Sequence, residues 1–348
     1  MKTFSAEYLK KVSINIFIAL GSPAREASIV AEELVEASLM GLESHGITRC
    51  IWYFDECRAG RIKPGAPMKV VNETQTTAVV DVNFNFGQVG ARKMVEIAIA
   101  KAQASGISCI VSRHCHHIGR LGSYTQRIAE SDLIGLGSAC SHKAGHFVVP
   151  WGGKQARLAT NPISYAAPTG RNPVVLDMST SMISEGKIRV LMHQGEEIPP
   201  DCVLNAKGYP TTNPMEFYGP PRGTILPFGG KMGYKGFGLS LMTMILGEAM
   251  AGEEITDEYH YLNGLVLIAV NPNVFGALRD FKKGMDAMVQ YMKNTPPAPG
   301  FKEVLLPGEL DFRTREERLG NGIPLAKRAW EQIKGIATQL NVTLDMED

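Results

Sequence analysis

The sequence predicts an α/β or α+β fold with helices gathered at both ends of the chain. Three patterns carry this expectation. Short β-branched or apolar segments alternate with amphipathic helical ones through the middle, apolar residues recur at spacings of three and four from Ser5 to Gly41, and a last amphipathic stretch closes the chain. At 348 residues, 44% hydrophobic and 20% charged, the chain is long enough for two domains and has the composition of an ordinary globular protein. A formal net charge of +1 gives no electrostatic reason to bind nucleic acid or an anionic membrane, so small-molecule chemistry is the expected class.

The elements follow in order. Ile29, Val30, Leu34 and Ala37 lie at helical spacing, and Ser22-Pro23 offers an N-cap followed by proline at the first helical position, so two helices are expected before Gly41. The stretch MKTFSAEYLKKVSINIFIALG interleaves charges with apolar residues and lacks the continuous apolar core of a signal peptide or a span, so no membrane association and a cytoplasmic location are expected. After the turn-rich Lys63–Pro67, the segments Thr77–Val82, Ile107–Ser112, Leu133–Ala139 and Val174–Met178 read as strands. Val89–Ala104, Ser123–Ser131 and a stretch near Ile183–Val190 read as helices. Gly236–Met250 is apolar on nearly every side and predicts a deeply buried helix. A strand at Leu265–Val270 and a helix at Gly276–Lys293 precede a proline-rich loop from Asn294, a candidate boundary. Beyond it lie an arginine-rich stretch, Arg313–Arg318, and a helix at Leu325–Leu340 expected to pack back on the first helices. Cys50, Cys57, Cys109, Cys115, Cys140 and Cys202 form no Cys-x-x-Cys pair and read as free, buried thiols.

The most informative segment is GLESHGITR, Gly41–Arg49, which sets Ser44, His45 and Arg49 within six residues of one another. Oxidising a 2-hydroxy acid needs a base for the hydroxyl proton, a cation for the carboxylate and an acceptor for the hydride. Histidine titrates in the working range, and arginine offers a planar fork that a carboxylate accepts bidentately. A bland reading stands beside this one, in which His45 caps or packs against a helix.

RHCHHIGRLG, Arg113–Gly122, places three imidazoles in four residues at a strand end. With His142 and His146 it raises a zinc site, but no His-Glu-x-x-His and no acidic neighbour supports metal, and contact with a substrate or cofactor is the stronger reading. A Gly-x-Gly-x-x-Gly turn is missing: Cys140 stands where Gly135-Leu136-Gly137 would need its third glycine, so a Rossmann site is not supported. Pyrophosphate could instead meet free amides in GGKMGYKGFG, Gly229–Gly238, where glycines, Lys231 and Lys235 precede a long helix. VVLDMSTSM, Val174–Met182, delivers Asp177 and three hydroxyls from a strand end, where an acid can orient a histidine or the hydroxyls can cap the next helix. ATNPIS, Ala159–Ser164, reads first as an Asn-Pro turn.

Taken in order, these segments together with VVPWGG, GYPTTNP and LLPGE resemble the malate/L-lactate dehydrogenase-like oxidoreductases, and the HHIGRLG and LLPGE wording is most similar to the hydroxycarboxylate dehydrogenase B branch. The resemblance runs over nearly the whole chain. It implies a non-Rossmann fold with a large, mostly antiparallel sheet, a helical domain formed by residues 1–72 with 303–348, and a nicotinamide-binding domain over 73–302. It implies a homodimer using NAD or NADP on a small 2-hydroxy acid, with reduction of a cyclic imino acid as the alternative.

Carried over by position, Ser44 and His45 are the proton-relay pair, Asp177 their acidic partner, and Arg49 and Thr160 substrate contacts. His117 matches a histidine given the acid/base role in some members, so the proton role is contested between two histidines. His142, Ser179, Thr180, Ser181, Tyr234, Lys235, Gly308 and Glu309 are the implied cofactor positions. Where many relatives have Asn-Ser-Asn-His, this chain has His114-Cys115-His116-His117, which alters the pocket near the reacting carbon. A metal-dependent hydrolase built on that cluster, and a non-catalytic binding protein, are the rivals from other classes.

Overall fold

The computed structural model describes residues 2–252 and 262–344. The chain opens with β1 (Lys2–Phe4), α1 (Ala6–Ala19), α2 (Ala24–Leu39) and α3 (Arg49–Arg58). The middle holds β2 (Lys69–Glu73), β3 (Thr77–Asp81), α4 (Gly87–Ser105), β4 (Ile107–Arg113), α5 (Gly122–Glu130), β5 (Ile134–Ser141), β6 (Ile163–Ala167) and β7 (Val174–Met178). An excursion follows: α6 (Glu185–Gln194), β8 (Val203–Leu204), β9 (Pro210–Thr211), α7 (Pro214–Tyr218), β10 (Thr224–Ile225) and α8 (Gly233–Met244). The chain then returns through β11 (Asn263–Val270) and closes with α9 (Leu278–Lys293), α10 (Glu309–Asn321), β12 (Ile323–Leu325) and α11 (Lys327–Gln339).

The main sheet has the order β2-β3-β4-β11-β5-β6-β7, and only β3 and β4 run parallel. At its centre β11 runs antiparallel to both β4 and β5, so a strand late in sequence joins two early ones. Alternation along β11 sorts its side chains. Leu265 and Leu267 enter a core with Met94, Ile110 and Tyr124, while Val266 meets Val111 and Ala251 in a separate cluster.

A third cluster joins the two ends of the chain. Leu9, Ile16, Phe17, Leu34 and Tyr53 share it with Ile323, Trp330 and Ile333, and β1 pairs antiparallel with β12. Each such side chain removed from water contributes about 1.5–3 kcal/mol. Within it Phe17, Tyr53 and Phe86 form an aromatic knot, with centroids 5.3 Å apart for Phe17–Phe86 and 5.9 Å for Tyr53–Phe86. Packing of this kind adds about 0.5–1.5 kcal/mol per pair beyond burial and fixes where α3 presents Tyr53.

Three expectations are corrected. Gly236–Met250 is not deeply buried: α8 begins at Gly233, widens to a π turn over Ile245–Ala249, and leaves Leu241, Met242 and Ile245 at 42%, 51% and 44% exposure. Its inward face is mostly small, with Gly233, Gly236, Ser240 and Thr243 buried beside Met244, so the backbone sits close to its neighbour while Leu241, Met242 and Ile245 turn outward. A Cβ on Gly236 would lie 2.1 Å from the Phe228 carbonyl oxygen. Ser22 does not cap α2, whose N-cap position is taken by Pro23. Cys57 and Cys109 are half-buried, whereas the other four thiols are buried.

Candidate active site

The junction between α2 and α3 gathers the first trio. A 3-10 turn, Glu43–His45, follows α2, and the Ser38 hydroxyl accepts the Ile47 N–H at 2.9 Å to hold it in place. Ser44 Oγ lies 2.9 Å from His45 Nδ1. Arg49, the first residue of α3, donates from Nε to the Ser44 carbonyl and stacks its guanidinium 5.4 Å over the Trp52 ring. The loop after β4 brings His117 to the same place: the His45 and His117 rings stack at 5.8 Å, 12° from parallel.

His117 is wired from behind. Its Nδ1 is 2.8 Å from Tyr53 Oη and receives the Gly119 N–H at 3.3 Å, while Gln88 Nε2 donates to Tyr53 Oη at 2.5 Å. Gly119 has φ +76°, a left-handed conformation suited to glycine. Asn263, at the start of β11, accepts the Ile118 N–H at 3.1 Å and donates to the Cys140 carbonyl at 3.1 Å, tying the histidine loop to the sheet. Tyr53 and Gln88 are fully buried, whereas His45 and His117 each keep an accessible edge.

The electrostatics keep both rings neutral. Burial, then Arg49 and Arg120, push His45 down to about 3. Burial, then Arg49, His45 and His116, hold His117 well below the usual imidazole range. A carboxylate seated on Arg49 would cancel one of the charges that depress His45 and raise it toward a useful basicity.

The other imidazoles of the run have separate partners. His114 Nδ1 is 3.0 Å from Asp81, and fully buried His116 places Nε2 3.3 Å from Glu56. Burial opposes ionisation of Glu56, yet the Arg61 fork at 2.8 and 2.6 Å, together with His116, holds it down at about 2. His146 Nε2 sits 3.1 Å from the Ser141 carbonyl, and His142 is buried at the end of β5. Among the described residues no three metal-ligating side chains converge.

Asp177 is not placed as expected. Its carboxylate accepts the Gly122 N–H at 2.8 Å and faces Arg120 at 3.5 Å, and Arg120 also faces Asp311 at 3.5 Å. His45 has Ser44, not Asp177, as its hydrogen-bond partner. The reason is electrostatic: buried Arg120 needs countercharge and takes both carboxylates. Burial nonetheless raises the pKa of Asp177 and of Asp311. Arg120 is thus the cation through which Asp177 and His45 sense one another.

Of the expected cofactor positions, Thr180 is tied by backbone to two other segments. The Thr160 carbonyl accepts the Thr180 N–H at 2.9 Å, and the Thr180 carbonyl accepts the Phe228 N–H at 2.9 Å, which brings the segments around 160, 180 and 228 together. The Thr180 hydroxyl donates to the Asn161 carbonyl at 3.0 Å, and that of Ser181 to the Ile183 carbonyl at 2.9 Å. Ser179 Oγ donates to the Ser181 carbonyl at 3.3 Å, so these hydroxyls chiefly shape the loop. Tyr234 and Lys235 lie exposed in the first turn of α8, whose N-terminus has no side-chain cap. Gly308 packs against Val175. Glu309 takes Lys293 at 2.9 Å, Arg313, and the Leu306 N–H at 3.0 Å.

Tyr53, Gln88, Trp52, Arg120 and Asn263 were not singled out from the sequence. Reading Arg49–Arg58 as a helix exposes two of these, because Trp52 and Tyr53 follow Arg49 at helical spacings of three and four. Gln88 and Asn263 carry no local signal.

A sequence profile described as malate/L-lactate dehydrogenase matches residues 4–334. The chain belongs to that family. Relatives include L-sulfolactate dehydrogenase of Methanocaldococcus jannaschii, 34% identical over 343 residues and covering 97% of this chain and 96% of the relative. Its solved structure superposes with a TM-score of 0.90 at 33% identity, over 99% of this chain and 98% of the other. Hydroxycarboxylate dehydrogenase B of Escherichia coli is 33% identical over 347 residues, covering 97% of this chain and 94% of the relative. Δ1-Piperideine-2-carboxylate reductase of Pseudomonas syringae superposes with a TM-score of 0.83 at 26% identity, over 97% of this chain and all of the other (100%). The fold is mixed α/β, and the sulfolactate and hydroxycarboxylate relatives are dehydrogenases.

Proposed function

We propose that the protein interconverts a small 2-hydroxy acid and its 2-oxo acid with NAD or NADP as the redox partner. The observation that carries this is the facing pair His45 and His117, 5.8 Å apart, with Arg49 anchored to the same turn by Ser44. Arg49 holds the carboxylate, which sets C2 in the cleft and converts an encounter into a near-attack geometry. Ser44 can accept the Nδ1 proton of His45, leaving Nε2 to take the hydroxyl proton on oxidation and return it on reduction. The bound nicotinamide would supply the hydride acceptor or donor at its C4.

The residues present fit such a cofactor. The uncapped N-terminus of α8, with Lys231 and Lys235 beside it, suits a pyrophosphate, and the loop of Ser179, Thr180 and Ser181 lies next to that glycine segment through Phe228. In this reading residues 1–72 with 303–348 form a helical domain and 73–302 the cofactor domain, supported by the burial of Ile323 and Trp330 against Leu9 and Phe17, with the boundary moved ahead of β2 because Lys69–Glu73 pairs with β3 in the main sheet. A homodimer belongs to the proposal. Its support is the outward apolar face of α8 and the amphipathic helix α9, which buries no residue of its own.

A second reading, reduction of a cyclic imine bearing a carboxylate, uses the same clamp and draws on the likeness to the piperideine carboxylate reductase. Hydroxy and oxo acids, with piperideine- and pyrroline-2-carboxylate, assayed spectrophotometrically against NAD(H) and NADP(H), test both. Turnover of hydroxy acids above the imines supports the first reading, and the reverse supports the second. Failure of every combination removes both.

A further inference from the structure

We infer that Tyr53 and Gln88, with the Gly119 backbone N–H, form a positioning relay that fixes His117 as a hydrogen-bond donor to the substrate's C2 oxygen and leaves proton transfer to His45 alone. The inference rests on the dehydrogenase reading and assigns the contested proton role within it.

The starting point is a donor that cannot change sign. A backbone N–H only donates, and that of Gly119 points at His117 Nδ1 from 3.3 Å. The nitrogen that accepts it is unprotonated, so a neutral ring carries its proton on Nε2. Tyr53 Oη, 2.8 Å from the same nitrogen, then donates to it, and its oxygen accepts from Gln88 Nε2. The Gly119 N–H sets the sense of this wiring, and the Tyr53 and Gln88 contacts follow it. An imidazolium at His117 would set Nδ1–H against the Gly119 N–H and reverse the tyrosine.

The charged and titratable groups around His117 oppose that form as well. Arg49, His45 and His116 act on the ring, and the carboxylate facing His116, Glu56, is held by Arg61. Among the described residues the Nε2 of His117 has no hydrogen-bond partner, so its N–H is available to an oxygen in the cleft.

His45 has no fixed donor on its Nδ1. Its Nδ1 partner is the Ser44 hydroxyl, which can donate or accept, so either tautomer is open and Nε2 can receive a proton. Arg49 and Arg120 are the charges that face it, with His117 stacked alongside. On oxidation a nicotinamide, when bound, would supply the two-electron acceptor for the C2 hydride. The hydroxyl proton passes to His45, the C2–O bond becomes a carbonyl, and His117 donates to that oxygen throughout without losing its proton.

Two experiments test the wiring. Imidazole nitrogen NMR of the protein without cofactor, with His117 assigned by the signal lost in His117→Asn, should find Nδ1 unprotonated and Nε2 protonated from about pH 5 to 9. Tyr53→Phe should allow the second tautomer to appear. In steady-state kinetics His117→Ala should lose about 10²–10³-fold in kcat, the cost of one donor to a developing oxyanion. His117→Asn, which keeps an N–H, should recover about tenfold or more of that loss. Tyr53→Phe should cost about tenfold in kcat with KM for the acid unchanged. The acidic limb of the pH profile should persist in His117→Asn and vanish in His45→Asn. An Nδ1–H in the wild-type spectrum overturns the inference, as does an acidic limb that disappears with His117. If the wild type turns over none of the acids or imines, the functional reading falls, and the NMR result alone decides the wiring.

Discussion

The histidine cleft and the glycine-hydroxyl region beside α8 solve different problems with different parts of the residue. In the cleft, side chains meet at fixed distances: Ser44 on His45, Tyr53 on His117, Arg49 over Trp52. Around Thr160, Thr180 and Phe228 the backbone makes the contacts, and the hydroxyls of Thr180 and Ser181 are turned onto nearby carbonyls. Replacing a side chain should therefore stop the chemistry in the first region. In the second, what counts is whether the chain can still approach itself.

The sharpest break is His45→Asn, which removes the proton acceptor while keeping a polar side chain of similar reach. A fall in kcat of about 10²–10⁴-fold is expected. Unchanged turnover across pH would move the proton elsewhere. Next is Arg49→Ala, which should raise KM for the acid by about 10–100-fold, the worth of a hydrogen-bonded charge. Arg49→Lys should restore it only in part, because an ammonium lacks the planar fork and stacks poorly on Trp52.

In the second region Gly236→Ala sets a Cβ 2.1 Å from the Phe228 carbonyl. It should cost about 1–3 kcal/mol by overpacking, seen as a lower melting temperature, and weaken cofactor more than acid. A variant that melts and binds like the wild type would mean that this backbone contact does not shape the site. The smallest effect belongs to Lys235→Ala, where an exposed charge worth about 0.2–1 kcal/mol should raise cofactor KM by roughly two- to fivefold, less at high salt.

Acid also separates the regions. His45 falls from 6.5 to about 3 on folding, so the unfolded chain binds the extra proton across that interval. Its contribution is complete above pH 6.5 and is lost as pH falls toward 3. His116 and His117 shift in the same direction, and Glu56, lowered to about 2, adds a loss below pH 4.5. Asp177 and Asp311, both raised, offset part of this. Melting temperature should decline from about pH 6.5 downward, less steeply in His45→Asn. A profile identical to the wild type in that variant would show that His45 does not titrate with folding.

The same contrast explains what the sequence could reveal. The strand Val174–Met178 is legible from its β-branched and apolar composition, and the helix Gly87–Ser105 from the local periodicity of Val89–Ala104. Ser44, His45 and Arg49 were visible because their chemistry lies within one short segment. The exposure of α8 was not, because composition cannot tell a helix buried on all sides from one lying tightly on a glycine face. The company kept by Asp177 was also hidden. It depends on Arg120 and Asp311, residues far apart in sequence that compete for the same carboxylate and guanidinium surfaces.

Asn263 gives the site a place in the order of folding. Its side chain holds the histidine loop from 145 residues further along, at the mouth of the strand that inserts between β4 and β5. Loop closure over that span must be completed before the contact forms, which makes it a late event. A nascent or partly refolded chain can assemble its helices and the Ser44–His45 turn while His117 still lacks its anchor to the sheet. Activity during refolding should consequently lag behind helical signal and rise with the closing of the central strand.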